Sequence, residues 1–149
     1  MVISESLIAQ LVRLQEWVDA DGKNTSITLF DYACFVGTPE IFLSFAELFS
    51  PDLVLYADCR FLKHRFDVEN FNAWKNKGLA LVEIQKMLNH VHIRQVIQGE
   101  DMSDELSVYI ATVLKSMWEK SIPNSSVEIF GDNYDEVSVT FFESHFSEK

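Results

Sequence analysis

Basic residues are scarce in this chain. Twelve lysines and arginines stand against 23 aspartates and glutamates, a net charge of −11. A field of that sign repels nucleic acid and anionic lipid, so neither is an expected partner. Glycine is scarce too. Gly22, Gly37, Gly78, Gly99 and Gly131 each stand alone. No glycine-rich loop exists to cradle a phosphate, which argues against nucleotide-dependent chemistry. Cysteine is limited to Cys34 and Cys59, without a C-x-x-C or a disulfide framework. The expectation is a reducing, cytoplasmic setting with both thiols buried as small hydrophobes. No apolar run approaches the roughly 20 residues of a membrane span. The opening residues, Met1-Val2-Ile3-Ser4-Glu5, have no signal-peptide pattern. The motifs H-E-x-x-H, D-x-D-x-D-G and G-x-S-x-G are also absent, so nothing calls for a cofactor or a nucleophilic serine.

What is present suffices for a core. Hydrophobic residues make up 48% of 149 residues and aromatics 13%, with twelve phenylalanines. That length and composition predict one folded domain, residues 1–149.

Ser4 can cap a helix over 5–20, whose apolar set is Leu7, Leu11, Leu14 and Val18. Residues 26–36 are ambiguous: Ile27 and Leu29 favour a strand, but the alternation fails after Phe30. Thr38-Pro39-Glu40 is a strong helix start, and Ser50-Pro51 stops that helix. Apolar residues wrap much of it, which predicts a central position. Leu53–Tyr56 and Cys59–Leu62 read as strands around an Ala57-Asp58 turn. Asp67 caps a helix over 68–77 that Gly78 ends, and another runs from Leu79 to about Asn89. Ser103 opens the clearest helix, to about Lys120. Residues 126–130 and 136–141 alternate around a turn at 131–135, a β-hairpin. Val127, Ile129, Val137, Val139 and Phe141 should face the core, and Glu128, Glu136, Ser138 and Thr140 water. Helices beside antiparallel hairpins predict an α+β fold: several helices on a small, mainly antiparallel sheet with a C-terminal β-hairpin.

Two places carry chemistry. Residues 100–149 hold eleven acids and three bases, while the first 99 hold twelve acids and nine bases. Asp132, Asp135 and Glu136 crowd one turn beside Tyr134, an aromatic suited to an interface. These four are the candidate contact residues for a basic protein partner; ordinary solvation of an acidic face is the plainer reading. His90-Val91-His92 is the second place. On a strand, residues i and i+2 share a face, so both imidazoles can meet one metal ion. A third ligand would come from His64, Glu83, Asp101 or His145. The plainer reading is that Asn89-His90 closes the preceding helix at the negative end of its dipole. The basic cluster Arg60, Lys63, His64, Arg65 reads as a solvated edge paired with Asp58 and Asp67. The aromatics Phe42, Phe45, Phe49, Tyr56, Phe61, Phe66, Phe71 and Trp74 read mainly as core and secondarily as pocket lining.

Residues 45–54 (FAELFSPDLV), Cys59-Arg60-Phe61, Asn70-Phe71-Asn72-Ala73-Trp74 and Asn89-His90-Val91-His92 resemble a pattern in a family of small uncharacterised bacterial proteins. The likeness spans about residues 42–93 and departs from the pattern at Ser50, where an aromatic is common. It implies a bacterial origin and carries no activity with it.

Two functional classes follow. One is a non-catalytic binding protein, immunity- or antitoxin-like, that uses an acidic C-terminal face. The other is a metal-dependent enzyme at His90 and His92. The absence of catalytic motifs favours the first. Sequence is silent on oligomeric state.

Overall fold

The computed structural model describes residues 4–21, 28–96, 102–131 and 137–143. Among these are eight helices and two small antiparallel sheets, an α+β fold as expected. The chain partitions into two compact units, residues 1–45 and 46–149.

The first unit is helical. The expected helix over 5–20 is two helices, α1 (Glu5–Ile8) and α2 (Val12–Asp21). The break is a tightened turn, in which Gln10 and Leu11 donate to carbonyls three residues back, Leu7 and Ile8, at 3.1 and 3.0 Å. No glycine or proline announces it. Leu7 and Leu14 are nonetheless both buried. The ambiguous segment is helix α3 (Leu29–Val36), nucleated by Thr28. The Asp31 backbone N–H donates to Thr28 Oγ1 at 3.2 Å, and the Thr28 N–H donates to Asp31 Oδ2 at 2.9 Å. This reciprocal cap satisfies two donors that a helix start leaves unpaired. Helix α4 (Pro39–Phe49) follows at once. Gly37 makes the short connection possible, because a Cβ there would stand 2.7 Å from the Ala33 carbonyl oxygen.

The second unit takes over at Ala46, in the last turns of α4. Strands β1 (Leu53–Tyr56) and β2 (Cys59–Leu62) form a hairpin, with Tyr56 opposite Cys59. Ala57 and Asp58 have φ of 50° and 62°, the left-handed pair that a two-residue hairpin turn requires. Then come α5 (Val68–Asn76), α6 (Leu81–Leu88), β3 (Val91–His92), α7 (Ile93–Val96), α8 (Asp104–Ser121), β4 (Ser126–Phe130) and β5 (Ser138–Phe142). Asp67 caps α5 and Ser103 caps α8, as expected. The larger sheet has the order β3-β5-β4, all antiparallel.

β5 is therefore the central strand, and all five of its residues are buried. This corrects the expectation that Ser138 and Thr140 face water. Val139 and Phe141 face the α8 side, where Trp118 meets the Phe141 ring edge-on at 5.6 Å. Thr140 turns to the other side and donates to the Lys86 carbonyl of α6 at 3.0 Å. A strand covered on both faces does not alternate in burial.

Two apolar clusters fill the second unit. One joins Leu62, Val91, Leu114, Trp118, Val127, Val139 and Phe141. The other joins Cys59, Phe61, Phe71, Ile84 and Leu88, with Tyr56, Phe66 and Trp74 packed against it. Much of the aromatic block is thus core: Phe61 and Tyr56 both meet Phe71 edge-on, with centroids 5.7 and 5.0 Å apart.

Candidate interaction surface and the histidine pair

Helices α3 and α4 contain no buried residue. That overturns the expected central position of the helix over 39–49. α3 is held by one stripe, since Trp17 of α2 meets the rings of Tyr32 and Phe35 at 5.7 and 5.0 Å. Its other stripe, Phe30, Ala33, Cys34, runs on to Gly37 with helical spacing. Pro39, Phe42 and Leu43 form the matching stripe on α4. Together these stripes line an open groove of about 580 Å³. Phe30 and Phe42 are each 76% exposed, and Leu43 67%. Cys34 lies there exposed, against the expectation of burial.

The stretch of sequence that carries this groove holds charge of one sign. Between Lys23 and Arg60 the chain has no base, only Asp31, Glu40, Glu47, Asp52 and Asp58. The Asp31 carboxyl titrates below its ordinary range, held there chiefly by the Thr28 hydroxyl and backbone. Glu40 is also lowered, by its own backbone N–H and by the Thr38 hydroxyl. Both are anionic at neutral pH, and both sit in the first turn of their helices, where the dipole favours negative charge. Sequence reasoning missed this surface. Its signal was an apolar circumference wider than one buried face needs, in a stretch without bases.

Asp132, Tyr134, Asp135 and Glu136 lie outside the described residues. Among the described acids of the C-terminal third, most meet a local base. Asp104 is 3.3 Å from Arg94, Glu119 3.6 Å from Lys115 and Glu128 2.6 Å from Lys86. Such exposed pairs contribute little stability, but they neutralise charge where it stands. Glu143 is not on the surface at all. Its side chain is 4% exposed and pairs with Arg60 Nε at 2.8 Å.

The basic cluster is also placed differently from expectation. Arg60 is paired to Glu143 and donates to Ser125 Oγ at 2.9 Å. Lys63 meets Asp52 at 3.2 Å. Arg65 donates to the His90 carbonyl at 2.6 Å. Asp67 instead caps α5, accepting from the backbone N–H groups of Glu69 and Asn70.

His90 and His92 come together, with ring centroids 4.6 Å apart and planes at 76°. His90 Nδ1 lies 2.5 Å from the Met87 carbonyl in the last turn of α6. A carbonyl only accepts, so Nδ1 carries the proton and caps the helix end. His92 Nδ1 lies 2.6 Å from the Ser138 hydroxyl. Among the described residues, no group of three or more His, Cys, Asp or Glu side chains is arranged to hold a metal ion. Of the third-ligand candidates, Asp101 and His145 lie outside the described residues.

Cys59 is buried, and its thiol is pushed up to about 11, first by burial and then by the Glu143 and Asp58 carboxylates. A thiol held neutral in this way is a packing group, not a nucleophile. No helix among the described residues is long and apolar enough to cross a membrane. No protein-family model, curated protein or solved structure matches the chain.

Proposed function

We propose that the protein is a non-catalytic protein-binding domain, immunity- or antitoxin-like, whose partner is a basic protein. The groove between α3 and α4 supports this most: two exposed apolar stripes, with only acids along residues 24–59. Contiguous exposed apolar surface marks interaction sites. Two apolar stripes lining one open groove suit an amphipathic helix laid into it by side chains at i, i+3 or i+4 and i+7. The acids select its flanks, which should be lysine- or arginine-rich. A second copy of this chain would bring Asp31 and Glu40 against their own kind. An anionic membrane would be repelled in the same way.

The acidic stretch with Asp132, Tyr134, Asp135 and Glu136 serves in this reading as a second contact region. A cytoplasmic setting and the bacterial origin implied by the resemblance over residues 42–93 are compatible with it. Capture from the native host, repeated with Phe30→Gln/Phe42→Gln, tests the proposal. A basic protein retained by the natural chain and lost by the variant supports it. A retained partner of acidic or neutral charge contradicts it, as does a basic partner bound equally by both. Reversal of Asp132, Asp135 and Glu136 to lysine tests the second region separately.

A metal-dependent enzyme at His90 and His92 is the second reading, favoured by the 4.6 Å approach of the rings. It predicts stoichiometric zinc, manganese or iron in the purified protein by elemental analysis, and metal-free protein contradicts it.

A further inference from the structure

Within the second unit, a cavity of about 260 Å³ opens between the end of α4, the β3–α7 segment and α8. Its lining holds more nitrogen-bearing side chains than carboxylates. Arg65, His64 and His92 line it, with Gln95, and the acid among its lining residues is Glu47. In a protein of net charge −11, a lining in which Arg65 balances Glu47 repels an incoming anion less than the rest of the chain does. The guanidinium of Arg65 is fixed, with Nη1 spent on the His90 carbonyl at 2.6 Å, one of five N–H donors. The rest of the wall is apolar. Leu62, Val91 and Trp118 are buried core residues that also line it. Trp118 is held by its indole N–H, which donates to the Leu48 carbonyl at 2.9 Å.

We propose that this cavity binds a small organic anion, a carboxylate carried on an apolar body of about ten non-hydrogen atoms. The carboxylate lies toward Arg65 and His64, and the apolar body lies against Leu48, Pro51 and Val96, with Leu62 and Trp118 packed behind them. A concave apolar wall with a few convergent polar groups is the common form of such sites, and a carboxylate is the group that a fixed guanidinium recognises best. The proposal is independent of the α3–α4 groove, which lies in the other unit.

Hexanoate and benzoate are the probes, titrated against the full chain by amide NMR and tryptophan fluorescence, with hexanamide, benzamide and inorganic phosphate as comparisons. The expected result is saturable binding at or below about 1 mM, with shifts at Leu62, Val91 and the Trp118 indole. The amides and phosphate should bind at least about tenfold more weakly. Arg65→Met should weaken hexanoate about tenfold, and His64→Gln, at an exposed position that leaves folding intact, about threefold. The proposal is overturned if no carboxylate saturates these signals, if the amides bind as tightly, if phosphate binds as tightly, or if His64→Gln and a folded Arg65→Met both bind like the natural chain.

Discussion

Arg60 and Glu143, 83 residues apart in sequence, form an ion pair at 2.8 Å whose carboxylate is almost fully buried. The carboxylate also accepts from the Arg60 backbone N–H at 3.2 Å and from the Gln85 side chain. This pair ties the β1–β2 hairpin to the end of β5 and to α6. A buried charge left without its partner is costly, on the order of 3–5 kcal/mol. Arg60→Met, which leaves the Glu143 carboxylate buried without its partner, should therefore destabilise the chain by about that amount, Glu143→Gln by less because Arg60 is 24% exposed, and the double variant by less than the sum. Urea unfolding of the four proteins checks this. Additive losses would mean that the two groups act separately.

Asn89 does similar work without charge. It is fully buried, accepts from the Leu62 N–H at 3.0 Å, and donates to the Arg60 and Phe141 carbonyls at 3.0 and 3.1 Å. One amide thus joins both sheets to the end of α6. Asn89→Ala strands three backbone groups and should cost about 3 kcal/mol or more. Hydrogen exchange at the Leu62 amide should accelerate along with the global loss, and an unchanged Leu62 amide would contradict this assignment.

The β1–β2 turn can be improved. Ala57 and Asp58 occupy left-handed backbone at φ 50° and 62°, where an alanine is strained. Ala57→Asn with Asp58→Gly should raise stability by about 1 kcal/mol, seen as a higher Tm. An unchanged or lower Tm would show that the turn carries no strain to relieve.

Cys59 sets an alkaline limit. Its thiol titrates at about 11 in the folded chain against an ordinary 9.0. Between those values the unfolded chain loses the proton first, so stability falls as pH rises from 9 toward 11, by about 2 kcal/mol from this group. Below pH 9 the group has no effect. Cys59→Ala should flatten the stability profile over that window, whatever its constant cost from lost packing. Parallel profiles for the two proteins would refute the assignment.

The local signals in the sequence were reliable where the chemistry was local. Asp67 and Ser103 cap the helices they were expected to cap, and Ala57-Asp58 turns the first hairpin. The capping pair Thr28 and Asp31 was equally local, yet the β-branched run before it concealed the helix. Burial was harder to see. Ser138 and Thr140 alternate like an exposed face, but β3 beside β5 and α6 above it bury them, and both neighbours come from distant sequence. The apolar circumference of the helix from Pro39 pointed to the core, whereas exposed apolar surface has the same composition as buried surface. The joining of His90 to His92 was legible from their spacing. Their partners, Met87 and Ser138, were only partly so, because Ser138 arrives through strand pairing.

The central claim is that the α3–α4 groove holds a basic protein. Calorimetric titration of the purified captured partner into the natural chain and into Phe30→Gln/Phe42→Gln tests it most directly. Both phenylalanines are largely exposed, so the variant should fold with unchanged Tm. The account predicts a loss of at least about 100-fold in affinity for the variant, and weaker binding of the natural chain as salt rises. Equal affinity of the two proteins, or binding indifferent to salt, would contradict it.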